Sequence, residues 1–200
     1  MEQRKTDAGA PLGRQVSPSV TRLALAGVMA AVIAVFSLIS IPVGTVPLTL
    51  QTLAVLVAGG LLGPLWGPTS VGVYLLVGMM GVPVFAGGEA GPHVLLGPKG
   101  GYLVGFVIAA LIMGTAARAA RARGMGGRAG LAWLVAGAAG ASAAIYLVGV
   151  PWLAAAAGLS LGKALAVGFA PFLLGDVLKA AIAVVLVRAV GAALAREGLV

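Results

Sequence analysis

Residues 23–88 carry no charged side chain, an uninterrupted interval of 66 positions between Arg22 and Glu89. A fold that meets water covers itself with ionisable groups, and about 25% of a soluble domain is charged. Here the whole chain reaches only 9%. The surroundings of such a stretch are hydrocarbon. There every backbone N–H and C=O must be paired internally, which leaves α-helices or a closed β-barrel. A barrel reads as alternating segments of about 10 residues. The Ala, Leu, Val and Gly runs of this chain show no period of two, so helices follow.

A spanning helix takes about 20 mostly apolar residues. Pro and Gly punctuation divides the chain into six such segments: 23–41, 48–62 with its flanks, 66–82, and about 101–117, 131–150 and 171–190. The expected fold is therefore an all-α membrane protein of six transmembrane helices, a single domain over residues 22–196. A flexible cytoplasmic tail, residues 1–21, precedes it. A cleaved signal peptide competes for the first segment, but its apolar core would be only about 7–15 residues, shorter than the run 23–41. Orientation comes from Lys and Arg near the span ends. With the amino terminus inside, the tail, the 118–128 loop and the carboxyl end collect ten basic residues; the other side receives only Lys99 and Lys163. Both termini are expected in the cytoplasm. The loops 41–47, 83–100 and 152–170 then face outward, and a ligand pocket is expected near the extracellular side. The same topology accounts for the net charge of +8 without nucleic acid.

Two ionisable residues stand inside the last segment, Asp176 and Lys179 in PFLLGDVLK. A charge at the bilayer centre costs about 2.5–3.5 kcal/mol on insertion scales, so such residues mark function more often than packing. Pro171 suits a first helical turn, which would set Asp176 about 7–8 Å below the helix end at a rise of 1.5 Å per residue. The i,i+3 spacing puts both on one face. The alternative is an internal ion pair or a snorkelling lysine. The segment GVPVFAGGEAGPHVLLGPKGGYL could present backbone groups of Gly87, Gly88 and Gly101, with Lys99 and Tyr102, to a small polar molecule; otherwise it is a plain surface loop. Tyr146 and Trp152 could stack on a ring or anchor at the interface. Gln51 and Thr49 could bond a ligand or a neighbouring helix. Ala26, Ala30 and Ala34 form a ridge of small residues that serves either bundle packing or a partner helix. His93 reads as an ordinary loop residue.

No cysteine and one histidine leave no thiolate or histidine-rich metal centre, and no resident metal or cofactor is expected. GLSLGKA around Lys163 has too few residues between its glycines for a phosphate-binding loop, and Ala164 replaces the needed Ser or Thr. No hydrolase or metalloprotease signature occurs, so no catalytic residue is assigned. A small integral-membrane transferase would need several acidic residues for metal and phosphate, and five in the whole chain make that reading weak.

Three motifs occur in order: VPLTLQTLAVLVAGGLLGP, then GVPVFAGGEAGP with LLGPKGGYLVGF, then PFLLGDVLK. Together they resemble the BioY family, biotin-specific substrate-binding components of energy-coupling-factor transporters, over about residues 20–195. The resemblance implies a six-helix subunit of a prokaryotic inner membrane that binds biotin from outside. It also implies partners: a transmembrane coupling protein and two ATPases, the Ala26/Ala30/Ala34 ridge resembling the small-residue motif that docks on the coupling protein. By resemblance Asp176 and Lys179 match the family's charged pair at the biotin pocket; Tyr146 could lie beside the bound ring, and Gln51 is a further candidate for contact with it. Lys99 or Lys163 could take the vitamin's carboxylate. The family usually reads GPTGGYL, so Lys99 is a departure that could add a cation there. A sibling subunit for another small vitamin is the remaining alternative.

Overall fold

The computed structural model describes residues 17–43 and 45–196. Helix α1 (Pro18–Leu38) starts where the Ser17 hydroxyl accepts from Val20 N–H and a proline opens the first turn, a combination that satisfies orphan donors at no cost in lost bonds. Of the expected tail, residues 1–16 lie outside the described residues, and 18–21 already belong to α1. A two-residue antiparallel ribbon follows, β1 (Ser40–Ile41) pairing Ser40 with Thr49 and Ile41 with Leu48 of β2 (Leu48–Thr49). It is too short to leave a period-two signal.

Helix α2 (Gln51–Met79) is continuous in name only. At Gly63 the backbone leaves the helix with φ 81° and ψ −173°, a region open essentially to glycine. Pro64 then starts a new run, and a residue before proline is steered away from helical geometry. The two arms fold back on each other: Gln51 Nε2 lies 2.8 Å from the Tyr74 hydroxyl, although 23 residues of straight helix would put them about 35 Å apart. Near the tip a Cβ on Gly67 would come within 2.6 Å of Gly59 Cα. The carbonyls of Gly60 and Leu61, freed by the break, accept from Arg121 at 2.8 and 2.9 Å. A cation at a helix C-terminus both fills orphan acceptors and meets the negative end of the dipole.

A short helix α3 (Pro92–Leu96) sits in the loop before α4 (Gly100–Ala122). Helix α5 (Arg128–Ala157) ends at Gly158 in the left-handed region, its N–H bonded to Ala154 O. The connector expected to be irregular contains α6 (Leu161–Gly168), capped by Ser160, and the chain bends by 55° into α7 (Leu173–Arg196). Pro171 lies in that bend rather than in the first turn of the last helix, so Asp176 sits only about 4–5 Å into α7 at 1.5 Å per residue. Helices α4 and α5 pack along most of their length, with α2 on the other side of α4 and α1 against α2. Contact is close because the interface residues are small; Gly105, for instance, has Ile145 Cα 2.9 Å from where its Cβ would be.

Among the described residues, four helices are long and apolar enough to cross a membrane, or five if the bent pair α6–α7 counts as one span. The outer surface is greasy, with Leu174 85%, Leu147 75% and Val185 65% exposed, which suits lipid rather than water. The ridge expected to meet a partner turns inward: Ala26 is fully buried and Ala30 nearly so, on a helix whose main neighbour is α2. The small residues α1 leaves open are Ala24, Gly27 and Ala31, and nothing lies within 4 Å of a Cβ placed on Gly27.

Candidate functional site

Opposite the hairpin tip, the chain's loops and helix ends converge on one cavity. The β-ribbon, the first turn of α2, the 85–86 segment, α3, the N-terminus of α4, α5, the end of α6 and the first turns of α7 all contribute lining residues. Its cavity volume is about 60 Å³, and it is partly open to the outside of the bundle. The walls are mostly apolar, including Val46, Phe85, Val94, Leu103, Phe106 and Phe172. Aromatics are scarce in this chain, five Phe and three Tyr, yet three of those Phe and two Tyr line this cavity.

On the α7 side the two intramembrane charges meet. Lys179 Nζ donates to Asp176 Oδ1 at 2.9 Å, with side-chain exposures of 9% and 7%. The other carboxylate oxygen, Oδ2, accepts from the Tyr146 hydroxyl of α5. Asp176 occupies the first turn of α7, where the helix dipole favours a negative charge. Tyr146 is fixed in turn by edge-to-face contacts with Tyr102 (6.3 Å) and Phe169 (4.8 Å), and the Tyr102 hydroxyl donates to Gly168 O at 2.9 Å. One continuous chain of contacts thus runs from α4 through α5 to α6 and α7. Across the cavity, buried Gln51 is oriented by Tyr74 and by Thr49, whose hydroxyl accepts from Gln51 N–H at 3.3 Å. At the mouth, Lys99 pairs with Glu89 at 2.8 Å.

The structure therefore brings Asp176, Lys179, Tyr146, Gln51, Lys99 and Tyr102 onto one cavity. Three other residues expected at a ligand lie elsewhere. Gly87 and Gly88, with φ of 81° and 76°, turn an exposed loop closed by the Phe85–Glu89 bridge and do not line the cavity. Gly101 is a packing position: a Cβ there would come 2.3 Å from that of Trp152. Trp152 itself donates to Gly97 O at 3.0 Å and roofs the loop. Lys163 and His93 are exposed on α6 and α3, outside the lining. Among the described residues no group of acidic, His or Cys side chains could hold a metal ion. Sequence reasoning missed Phe85, Phe106, Phe172 and the supporting Tyr74. Their scarcity was the available signal, because rare aromatics in an Ala-rich chain are retained where large flat surface is needed.

Behind the charged pair, the seam between α5 and α7 is an apolar groove lined by Val135, Ala138, Ser142, Val177, Ala180 and others. Tyr146 and Asp176 face this groove as well as the cavity.

Comparison with known proteins gives a consistent answer. The sequence model described as the BioY family matches residues 6–196. The biotin transporter BioY of Thermotoga maritima is 38% identical over 171 residues, covering 81% of this chain and 90% of that protein. BioY2 of Lactococcus lactis is 37% identical over 179 residues, 89% of this chain and 90% of its own length. Among solved structures, the S-component for biotin from an ECF-type ABC transporter superposes with a TM-score of 0.77 at 30% identity, covering 90% of this chain and 94% of that one.

Proposed function

The chain belongs to the BioY family, and from that premise we propose that it captures biotin as the substrate-binding subunit of an energy-coupling-factor uptake transporter. The observation that carries this reading is the Asp176–Lys179–Tyr146 cluster, buried yet facing a mostly apolar cavity. Biotin is a fused bicyclic with a ureido group at one end and a carboxylate on an aliphatic arm. An ionised carboxylate offers about four lone-pair sites, and Lys179 and Tyr146 use two of those on Asp176. The remainder accept the ureido N–H groups, while Lys179 has further N–H donors for the ureido oxygen. Phe85, Phe106 and Phe172 flank the thioether ring, and Gln51 supplies an amide from the opposite wall. Such a protein binds and releases; it catalyses no covalent step.

In this reading the two arms of α2 count as separate crossings, so six segments traverse a prokaryotic inner membrane. The cavity opens outward, and the Arg118, Arg121, Arg123 and Arg128 cluster lies at the cytoplasmic face with both termini. The coupling protein meets the open Ala24, Gly27 and Ala31 face of α1, where small residues permit close helix approach; two ATPases complete the assembly. The test is uptake of radiolabelled biotin by cells producing this chain with and without those partners, alongside binding to the purified subunit. The expected result is biotin binding by the subunit alone, and a Gly27→Leu variant that still binds but loses the partner-dependent share of uptake. A purified wild-type subunit that takes up no biotin sinks the reading.

A further inference from the structure

The cavity lining holds three formally charged side chains: Asp176, Lys179 and Lys99. Asp176 and Lys179 neutralise each other at 2.9 Å, so the lining is left with one positive charge, on Lys99. Its counterion, Glu89, is not part of the lining; it stands on the exposed turn that Gly87 and Gly88 form. The two ion pairs also differ in how firmly they are held. The α7 pair is exposed by less than a tenth, whereas Lys99 and Glu89 are 26% and 43% exposed. Water screens an exposed pair and makes it cheap to exchange, while separating a buried pair strands a charge in a poorly solvated place. An arriving anion therefore takes the Lys99 partnership and leaves the α7 pair intact. Lysine suits such a handover, being a point charge on a flexible stem that can swing between two acceptors. Lys163 and His93, the other basic groups on this side of the bundle, are exposed and away from the lining.

We propose that Lys99 reads the free carboxylate of the ligand, and that Glu89 holds this ammonium at the mouth until the carboxylate displaces it. The inference rests on the biotin reading and adds a selectivity to it: the site prefers an anionic ligand over the same ring system with its acid masked. Glu89 becomes a competitor of the ligand, and the preference is sensitive to salt.

The experiment compares biotin with biotinamide, which keeps the ureido ring and lacks the charge, by calorimetry on the purified chain in detergent at low and high ionic strength. Wild-type protein binds biotin about tenfold more tightly than biotinamide at low salt, the scale of a hydrogen bond to a charged group. Lys99→Met reduces that preference to about twofold or less, mainly through lost biotin affinity, and its remaining biotinamide binding reports that the variant is folded; Lys99→Arg retains most of the preference. Glu89→Gln strengthens biotin binding about threefold and leaves biotinamide alone, because only a weak exposed pair is lost. Equal affinity of wild type for both ligands overturns the proposal while leaving the biotin reading standing. So does a Lys99→Met protein that keeps its preference, or that loses both ligands in step with Lys99→Arg. Failure of the wild type to bind either ligand overturns the biotin reading itself.

Discussion

Asp176 and Lys179 are each the other's only charged neighbour within salt-bridge distance among the described residues. Removing one therefore leaves the other uncompensated. Breaking a buried pair costs about 3–5 kcal/mol, whereas replacing both members with apolar side chains is often near neutral. Asp176→Asn and Lys179→Ala are expected to lower the unfolding temperature of the detergent-solubilised protein and to weaken biotin binding at least about tenfold. The double variant Asp176→Leu/Lys179→Met should regain most of the thermal stability and none of the binding. A double variant as unstable as the singles, or a single that binds normally, contradicts the role given to the pair. These two residues were legible in the sequence because an ionisable group in an apolar run has few reasons to be there. Gly87, Gly88 and Gly101 were not, since one residue type serves turns, close packing and ligand contact alike. The alanine ridge was ambiguous for a related reason: four-residue spacing defines a face and does not say which way it points, and Ala26 and Ala30 are buried.

At the level of elements, Gly63 is where composition became architecture. Its φ of 81° and ψ of −173° are strained for any side chain, by about 1–3 kcal/mol. A Cβ there meets nothing within 4 Å, so crowding adds no penalty. Gly63→Ala is expected to destabilise the fold by that amount while biotin affinity stays within about twofold, because Gly63 does not line the cavity. Equilibrium unfolding in mixed detergent, with binding measured on the same sample, checks this; an unchanged midpoint would show that the break does not require glycine. The division at residues 62–66 was readable from the Gly-Pro step. Helix α6 was not, as its Ala/Gly-rich sequence looks like a connector, and its stability comes from the Ser160 cap and from packing on α5. The 55° bend that follows is written in Pro171, though local sequence could not say whether proline opened the helix or preceded it.

For the whole molecule, the two ends differ in what they carry. The cavity and the Gly87–Gly88 turn lie at one end. The 118–128 loop lies at the other with the hairpin tip, which Arg121 clasps, and Arg188, which donates to Gly126 O. The chain contains no cysteine, so single replacements can be placed without background. Gly88→Cys is expected to react with a membrane-impermeant maleimide in intact cells, and Gly126→Cys only after permeabilisation. The reverse pattern would place the cavity on the cytoplasmic side and undo its assignment to capture. Membership of the helical membrane class was plain from the charge-free interval alone, because hydrocarbon tolerates so few backbone designs. The enclosure of the cavity was not, since it depends on side chains from eight separate stretches of chain meeting at one end.

The contact between Tyr146 and Asp176 has one consequence at this largest scale. With one face toward the cavity and the other toward the α5–α7 seam, the phenol and the carboxylate form a bulkhead between the two. In the proposed reading, acyl chains reaching that seam would touch the side chains assigned to the cargo, so its retention would answer to the chemistry of the surrounding bilayer.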